Sequence, residues 1–181
     1  MSTARRVAVI GAECVGKTEL AQRLAQLLPG LWIPEYLREF CVGRGRTPLA
    51  GEQAHILAEQ RRREDEAILR AEMLGLEWVL ADSAPLVTAA YSELLFGDLS
   101  LHEQAFAHHA CYEATLLLAP DLPWVADGIL RDGPAVREAF HALLLQRLRQ
   151  AGLPFALVGG MDEERLQAAS SALRPIIATA R

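Results

Sequence analysis

Gly11-Ala12-Glu13-Cys14-Val15-Gly16-Lys17-Thr18 fits G-x-x-x-x-G-K-[ST], the pattern of a phosphate-binding P-loop. Its flanks supply the context that the pattern requires. Arg6 to Ile10 reads Arg-Val-Ala-Val-Ile, a short β-branched run suited to a buried strand. Lys17 to Leu28 places Leu20, Leu24, Leu27 and Leu28 at helical spacing. Strand, glycine-rich turn and helix together predict an α/β fold of the P-loop type. Lys17 is also the sole lysine, the other basic residues being arginines. A compact ammonium reaches the β- and γ-phosphates without forcing a planar fork into the loop.

The chemistry follows from the residue types. Gly11 and Gly16 allow backbone geometry closed to residues with a Cβ. The N–H groups of Gly11, Ala12, Glu13, Cys14, Val15 and Gly16 are expected to converge as an anion nest at the start of the helix. Lys17 neutralises phosphate charge, and the Thr18 hydroxyl is placed for Mg²⁺. With Glu19 on the first helical turn, residues 11–19 are the expected ATP-binding set.

Working outward, Leu31-Trp32-Ile33 reads as a second strand ended by Pro34. It delivers Glu35-Tyr36-Leu37-Arg38-Glu39 to the sheet edge where ligands bind in open parallel sheets. Gly43-Arg44-Gly45-Arg46 reads as a solvated basic loop. Thr47-Pro48 predicts a helix start. That helix runs to about Met73, with Arg61 to Glu66 as a solvated, ion-paired face. Trp78 to Ala81 is a third strand ending in Asp82. A carboxylate there is the Walker B arrangement for Mg²⁺, and it is compatible with capping the next helix.

Helices are predicted from Pro85 to Phe96 and from Leu101 to Ala110, then a strand from Thr115 to Leu118. A loop of about residues 120–134, rich in Pro, Gly and charge and holding Trp124, reads as a lid. Helix Pro134–Ala151, strand Phe155–Val158, turn Gly159-Gly160 and a helix from Asp162 to about Leu173 complete the order. The expected architecture is a single domain over residues 1–181, a five-stranded parallel sheet with helices on both faces.

Composition narrows the function. The net charge of −5 does not indicate nucleic-acid binding. No apolar run approaches the roughly 20 residues of a membrane span, and the first strand begins too early for a signal peptide to be expected. Cys14, Cys41 and Cys111 are too few and scattered for a disulfide framework or zinc site, and the five histidines lack metal-ligand spacing. A reducing cytoplasm is the natural setting. There is no asparagine, so the guanine-reading Asn-Lys-x-Asp motif of GTPases is absent. Asp82 is followed by Ser83, not by the second acid of an AAA motor. A compact P-loop domain with a charged second-strand tip and an arginine-bearing lid is what a small-molecule kinase needs.

Four stretches carry a family resemblance: Gly-Ala-Glu-Cys-Val-Gly-Lys-Thr, Pro-Glu-Tyr-Leu-Arg-Glu-Phe from Pro34, Leu-Ala-Asp-Ser-Ala-Pro-Leu-Val-Thr-Ala-Ala-Tyr from Leu80, and Pro-Trp-Val-Ala-Asp-Gly-Ile-Leu-Arg from Pro123. The chain resembles the ribosylnicotinamide kinase domain of bacterial bifunctional NAD-biosynthesis proteins and the related stand-alone ATPase/kinases of NAD metabolism. The resemblance implies transfer of the ATP γ-phosphoryl to the 5′-hydroxyl of nicotinamide riboside. It implies Glu35 as base or orienter at the acceptor, Tyr36 and Arg38 shaping the acceptor site, and Asp82 on Mg²⁺ or as the base. It further implies Arg131 acting from the lid, with Asp127 and Trp124 setting the lid's docking.

Pro34 stands where the family has an aromatic residue, Arg61 near where it has a tyrosine, and Ser83-Ala84 where it has Thr-Asp. Two alternatives therefore remain: a kinase of another small nucleoside, and an ATP-binding or ATP-hydrolysing sensor or interaction module. By fold analogy, adenine is expected near Gly159-Gly160.

Overall fold

The computed structural model describes residues 4–125 and 133–178. Five strands form one parallel sheet in the order β2-β3-β1-β4-β5. They are β1 (Arg5–Ile10), β2 (Gly30–Ile33), β3 (Trp78–Asp82), β4 (Ala114–Leu118) and β5 (Ala156–Val158). The helices are α1 (Lys17–Leu27), α2 (Tyr36–Arg44), α3 (Gln53–Leu74), α4 (Pro85–Phe96), α5 (His102–His109), α6 (Pro134–Gln150) and α7 (Asp162–Ala178). Helix α1 packs on α7, while α4 packs on α3, α5 and α6. The expected fold class is the observed one.

The central strands are apolar without alternation because both faces are covered. Val7 to Ile10 and Trp78 to Ala81 are buried, and Phe140, Leu144 and Leu148 of α6 close one part of the same core. Each fully buried Leu or Phe contributes about 1.5–3 kcal/mol of transfer free energy. Register then places the chemistry: Val9 pairs with Asp82, and the Ser83 N–H donates to the Val9 carbonyl at 2.9 Å. The acidic tip of β3 thus lies beside the end of β1, from which the P-loop departs. No helix among the described residues is long and apolar enough to cross a membrane.

Three local readings are corrected. First, residues 36–44 form a helix that the sequence pattern concealed. Its buried residues, Phe40 and Cys41, pack on Ile56 of α3, a partner remote in sequence. Second, Thr47-Pro48 does not start α3. A 3₁₀ turn, Ala50–Glu52, precedes it, and Glu52 accepts both the Leu49 N–H and a forked pair from Arg46 (2.7 and 2.8 Å). That clamp delays the helix to Gln53.

Third, the charged centre of α3 is not wholly solvated. Arg62 and Arg63 pair with Glu59, Glu66 and Glu39 at the surface, as expected. Glu64, however, is 0% exposed and accepts from Gln60 Nε2 (3.0 Å) and the Tyr112 hydroxyl (2.5 Å), with His108 Nε2 at 3.0 Å. A buried carboxylate persists only when it is hydrogen-bonded in this way.

Candidate functional site

The 11–18 loop has the backbone that its glycines permit. A Cβ on Gly11 would meet Val15 Cγ2 at 3.0 Å and the Leu118 carbonyl oxygen at 3.2 Å. Gly16, with φ 77°, occupies the left-handed N-cap position of α1. Cys14 also has positive φ, at 56°. Lys17 Nζ donates to the Ala12 carbonyl at 2.7 Å, so the ammonium lies over the loop.

Next to it, the Thr18 hydroxyl donates to Asp82 Oδ2 at 2.5 Å. Asp82 is 1% exposed, and its Oδ1 has no hydrogen-bond partner among the described residues. Burial pushes the Asp82 carboxyl up to about 6; the negative charge of Glu35 adds to the rise, and Lys17 and the Thr18 hydrogen bond oppose it. A buried carboxylate oxygen without a partner, beside a threonine hydroxyl, is a donor pair suited to a hard divalent cation. The residues present therefore fit Mg²⁺.

Glu35 faces this centre from the other wall. It holds the N-cap position of α2 but makes no capping hydrogen bond. The first N–H of α2, on Tyr36, donates instead to Gln60 Oε1 of α3 at 2.9 Å. That bond fixes the start of the helix whose N-cap residue, Glu35, lines the cleft. The cleft itself is about 310 Å³. Residues 13–19 form one wall, and Glu35, Leu37, Arg38 and Cys41 form the opposite one. Gln53 at the start of α3 and Tyr91 and Leu95 of α4 close its end. Gly11 and Ala12 are buried behind the loop and do not line it.

The sequence-predicted residues divide accordingly. Lys17, Thr18, Glu35, Arg38 and Glu19 meet at the cleft, and Asp82 sits behind it through Thr18. Tyr36 turns away: its hydroxyl lies 3.0 Å from His55 Nε2, and the Arg63 guanidinium stacks 4.5 Å over its ring. Trp124 docks on the loop rather than in the cleft, its indole N–H donating to Glu13 Oε1 at 3.2 Å. The Gly133 N–H donates to the same oxygen at 3.2 Å, and Cys14 Sγ donates to the Pro123 carbonyl at 3.4 Å. Two unspecified positions of the P-loop pattern thus hold both ends of the segment read as a lid. Arg131 and Asp127 lie outside the described residues.

Sequence reasoning passed over several residues. Tyr91 and Leu95 share one face of α4 at i, i+4 spacing, a periodicity visible in the sequence. Asp121 and Arg165 gave no local signal. Together they tie down the turn at Gly160: the Gly160 N–H donates to Asp121 Oδ2 at 2.7 Å, and Arg165 bridges Asp121, Gly160 and Val15.

Comparison with known proteins agrees with this fold. The sequence model of an AAA domain matches residues 6–165. The trifunctional NAD biosynthesis/regulator protein NadR of Salmonella typhimurium is 27% identical over 166 residues, covering 87% of this chain and 39% of that protein. The chain thus spans well under half the length of that curated relative. A crystal structure of NadR in complex with NR superposes with a TM-score of 0.79 at 20% identity, over 96% of this chain and 50% of that one. One of NadR in complex with NAD and AMP-PNP gives 0.76 at 19%, over 96% and 49%.

Proposed function

We infer the reaction from the premise that this chain belongs to the AAA domain family whose model spans residues 6–165. The reading is a P-loop kinase that transfers the γ-phosphoryl of Mg·ATP to the 5′-hydroxyl of a nicotinamide riboside-like nucleoside. One observation carries it: a single cleft joins the phosphate loop to Glu35 and Arg38 on a separate element. A carboxylate lining the same cleft as the phosphate loop is suited to orient an acceptor hydroxyl there. The NadR relative and the NR complex of that protein support the choice of acceptor.

The chain's residues take these parts. The loop N–H groups cradle the phosphates and Lys17 neutralises them as charge develops. Thr18 and Asp82 would hold Mg²⁺, which when bound neutralises phosphate oxygens and aligns them for in-line attack. Glu35 orients the acceptor hydroxyl and accepts its proton at the carboxylate. A loose phosphoryl transition state asks little more of a base. Arg38 shapes the acceptor end, while Arg131 and Asp127 act from the lid whose ends Glu13 holds.

The test is ADP release by the purified protein with Mg·ATP, with and without nicotinamide riboside, beside Lys17→Ala. Acceptor-stimulated release that falls at least about a hundredfold in Lys17→Ala is expected, since a lost charge contact in the transition state has that scale. ATP binding without stimulation by a panel of nucleosides would replace this reading with that of a nucleotide sensor.

A further inference from the structure

We propose that Arg165, on the first turn of α7, is a positioning residue that aims the Gly16 N–H into the phosphate nest. The proposal rests on reading the 11–18 loop as a phosphate site.

Arg165 is 4% exposed. Its three guanidinium nitrogens go to three different segments. Nη1 donates to the Val15 carbonyl of the P-loop. Nε donates to the Gly160 carbonyl at 2.8 Å, and Nη2 pairs with Asp121. Asp121 returns its other oxygen to the Gly160 N–H at 2.7 Å. A buried arginine charge is thereby neutralised and its fork held rigid by acceptors that do not belong to the P-loop.

The consequence lies in one peptide unit. The Val15 carbonyl and the Gly16 N–H share the 15–16 peptide, and in a planar trans peptide they point in opposite directions. Arg165 draws the carbonyl away from the cleft, so the N–H of the same unit is turned toward it. Gly16, at φ 77°, has the conformational freedom to flip this unit. An unheld peptide could present its carbonyl dipole to the phosphates, which would repel them. A Cβ built on Gly16 would meet Leu122 Cδ1 at 3.3 Å and lie 4.0 Å from Arg165 Nη1, so the guanidinium is close to the residue it orients. Arg165 touches neither ATP nor the acceptor on this account; it acts through the loop.

The experiment uses the full chain with Arg165→Met and Arg165→Lys, folding being checked by far-UV circular dichroism. The affinities of Mg·ATP and of Mg·tripolyphosphate are measured by titration calorimetry. Arg165→Met is expected to weaken both ligands by the same factor, about tenfold or more, the scale of one charge-assisted hydrogen bond. Arg165→Lys keeps the charge without the fork and falls between. KM for ATP rises in parallel, whereas KM for the acceptor stays within about twofold.

A loss confined to ATP would put Arg165 at the base rather than the phosphates and overturn the proposal. Unchanged affinity in folded Arg165→Met would overturn it too. Should that variant not fold, unchanged affinity in Arg165→Lys does the same. Absence of acceptor-dependent turnover in the wild type would defeat the kinase reading alone, because the binding ratios do not depend on turnover.

Discussion

Asp82 combines two demands that conflict in the free protein. It must be buried to sit against Thr18 behind the loop, and it must be ionised to hold a cation. Burial and the facing Glu35 charge set its pKa near 6 in the fold, above the ordinary value of 3.8. A raised carboxyl favours the folded state below the unfolded pKa, and this advantage is lost as pH rises through the folded one. Asp82→Asn, which still accepts from Thr18, is therefore expected to stabilise the ligand-free protein at pH 8. The gain should be on the order of 2–3 kcal/mol and should vanish below about pH 4. Urea denaturation of both proteins in EDTA across that range checks it. The same variant should lose Mg²⁺-dependent turnover, so stability and activity are traded at one atom.

Helix α2 shows how an element is set by its neighbour. Gln60 on α3 accepts from the Tyr36 N–H and donates to the buried Glu64, linking the start of α2 to the core. Gln60→Leu strands the Tyr36 donor and removes one of the groups that satisfy Glu64. We expect a stability cost of about 1–3 kcal/mol. With the N-terminus of α2 loosened, Glu35 drifts, so kcat/KM for the acceptor should fall while KM for ATP holds. Steady-state kinetics in each substrate separates this from a general loss of folded protein. An equal change in both KM values would show that Gln60 supports the whole cleft and not α2 in particular.

At the scale of the molecule, the sheet's core and the cleft are continuous. Phe140 of α6 is fully buried and stacks on Tyr91 of α4 with ring centroids 3.8 Å apart, and Tyr91 lines the cleft. Phe140→Ala is expected to cost about 3–5 kcal/mol in urea denaturation and to weaken acceptor binding through Tyr91. Mg·ATP at about 100 times its Kd should return about 2.7 kcal/mol to the wild type. It should return almost nothing to Lys17→Ala, whose ligand-free stability stays near that of the wild type. Paired melts with and without nucleotide read both effects. The ligand term is smaller than the expected core loss, so nucleotide cannot rescue a folding defect in Phe140→Ala.

Residues 6–18 were enough to specify an α/β P-loop fold, because strand, glycine turn and helix are local patterns with local causes. The positions of the remaining strands along the chain, the lysine, and the carboxylate ending β3 were legible for the same reason. Periodicity and turn chemistry are carried by neighbours in the chain. What the sequence could not disclose depends on partners far along it. Helix α2 exists because Phe40 and Cys41 find Ile56. Glu64 is buried because His108 and Tyr112 meet it. Tyr36 turns from the site because Arg63 and His55 receive its ring and hydroxyl. Arg165 reads as one more charge on a surface helix until α7 docks beside the P-loop. Burial of a polar group is decided by whether distant groups can satisfy it, and only the tertiary structure brings those groups together.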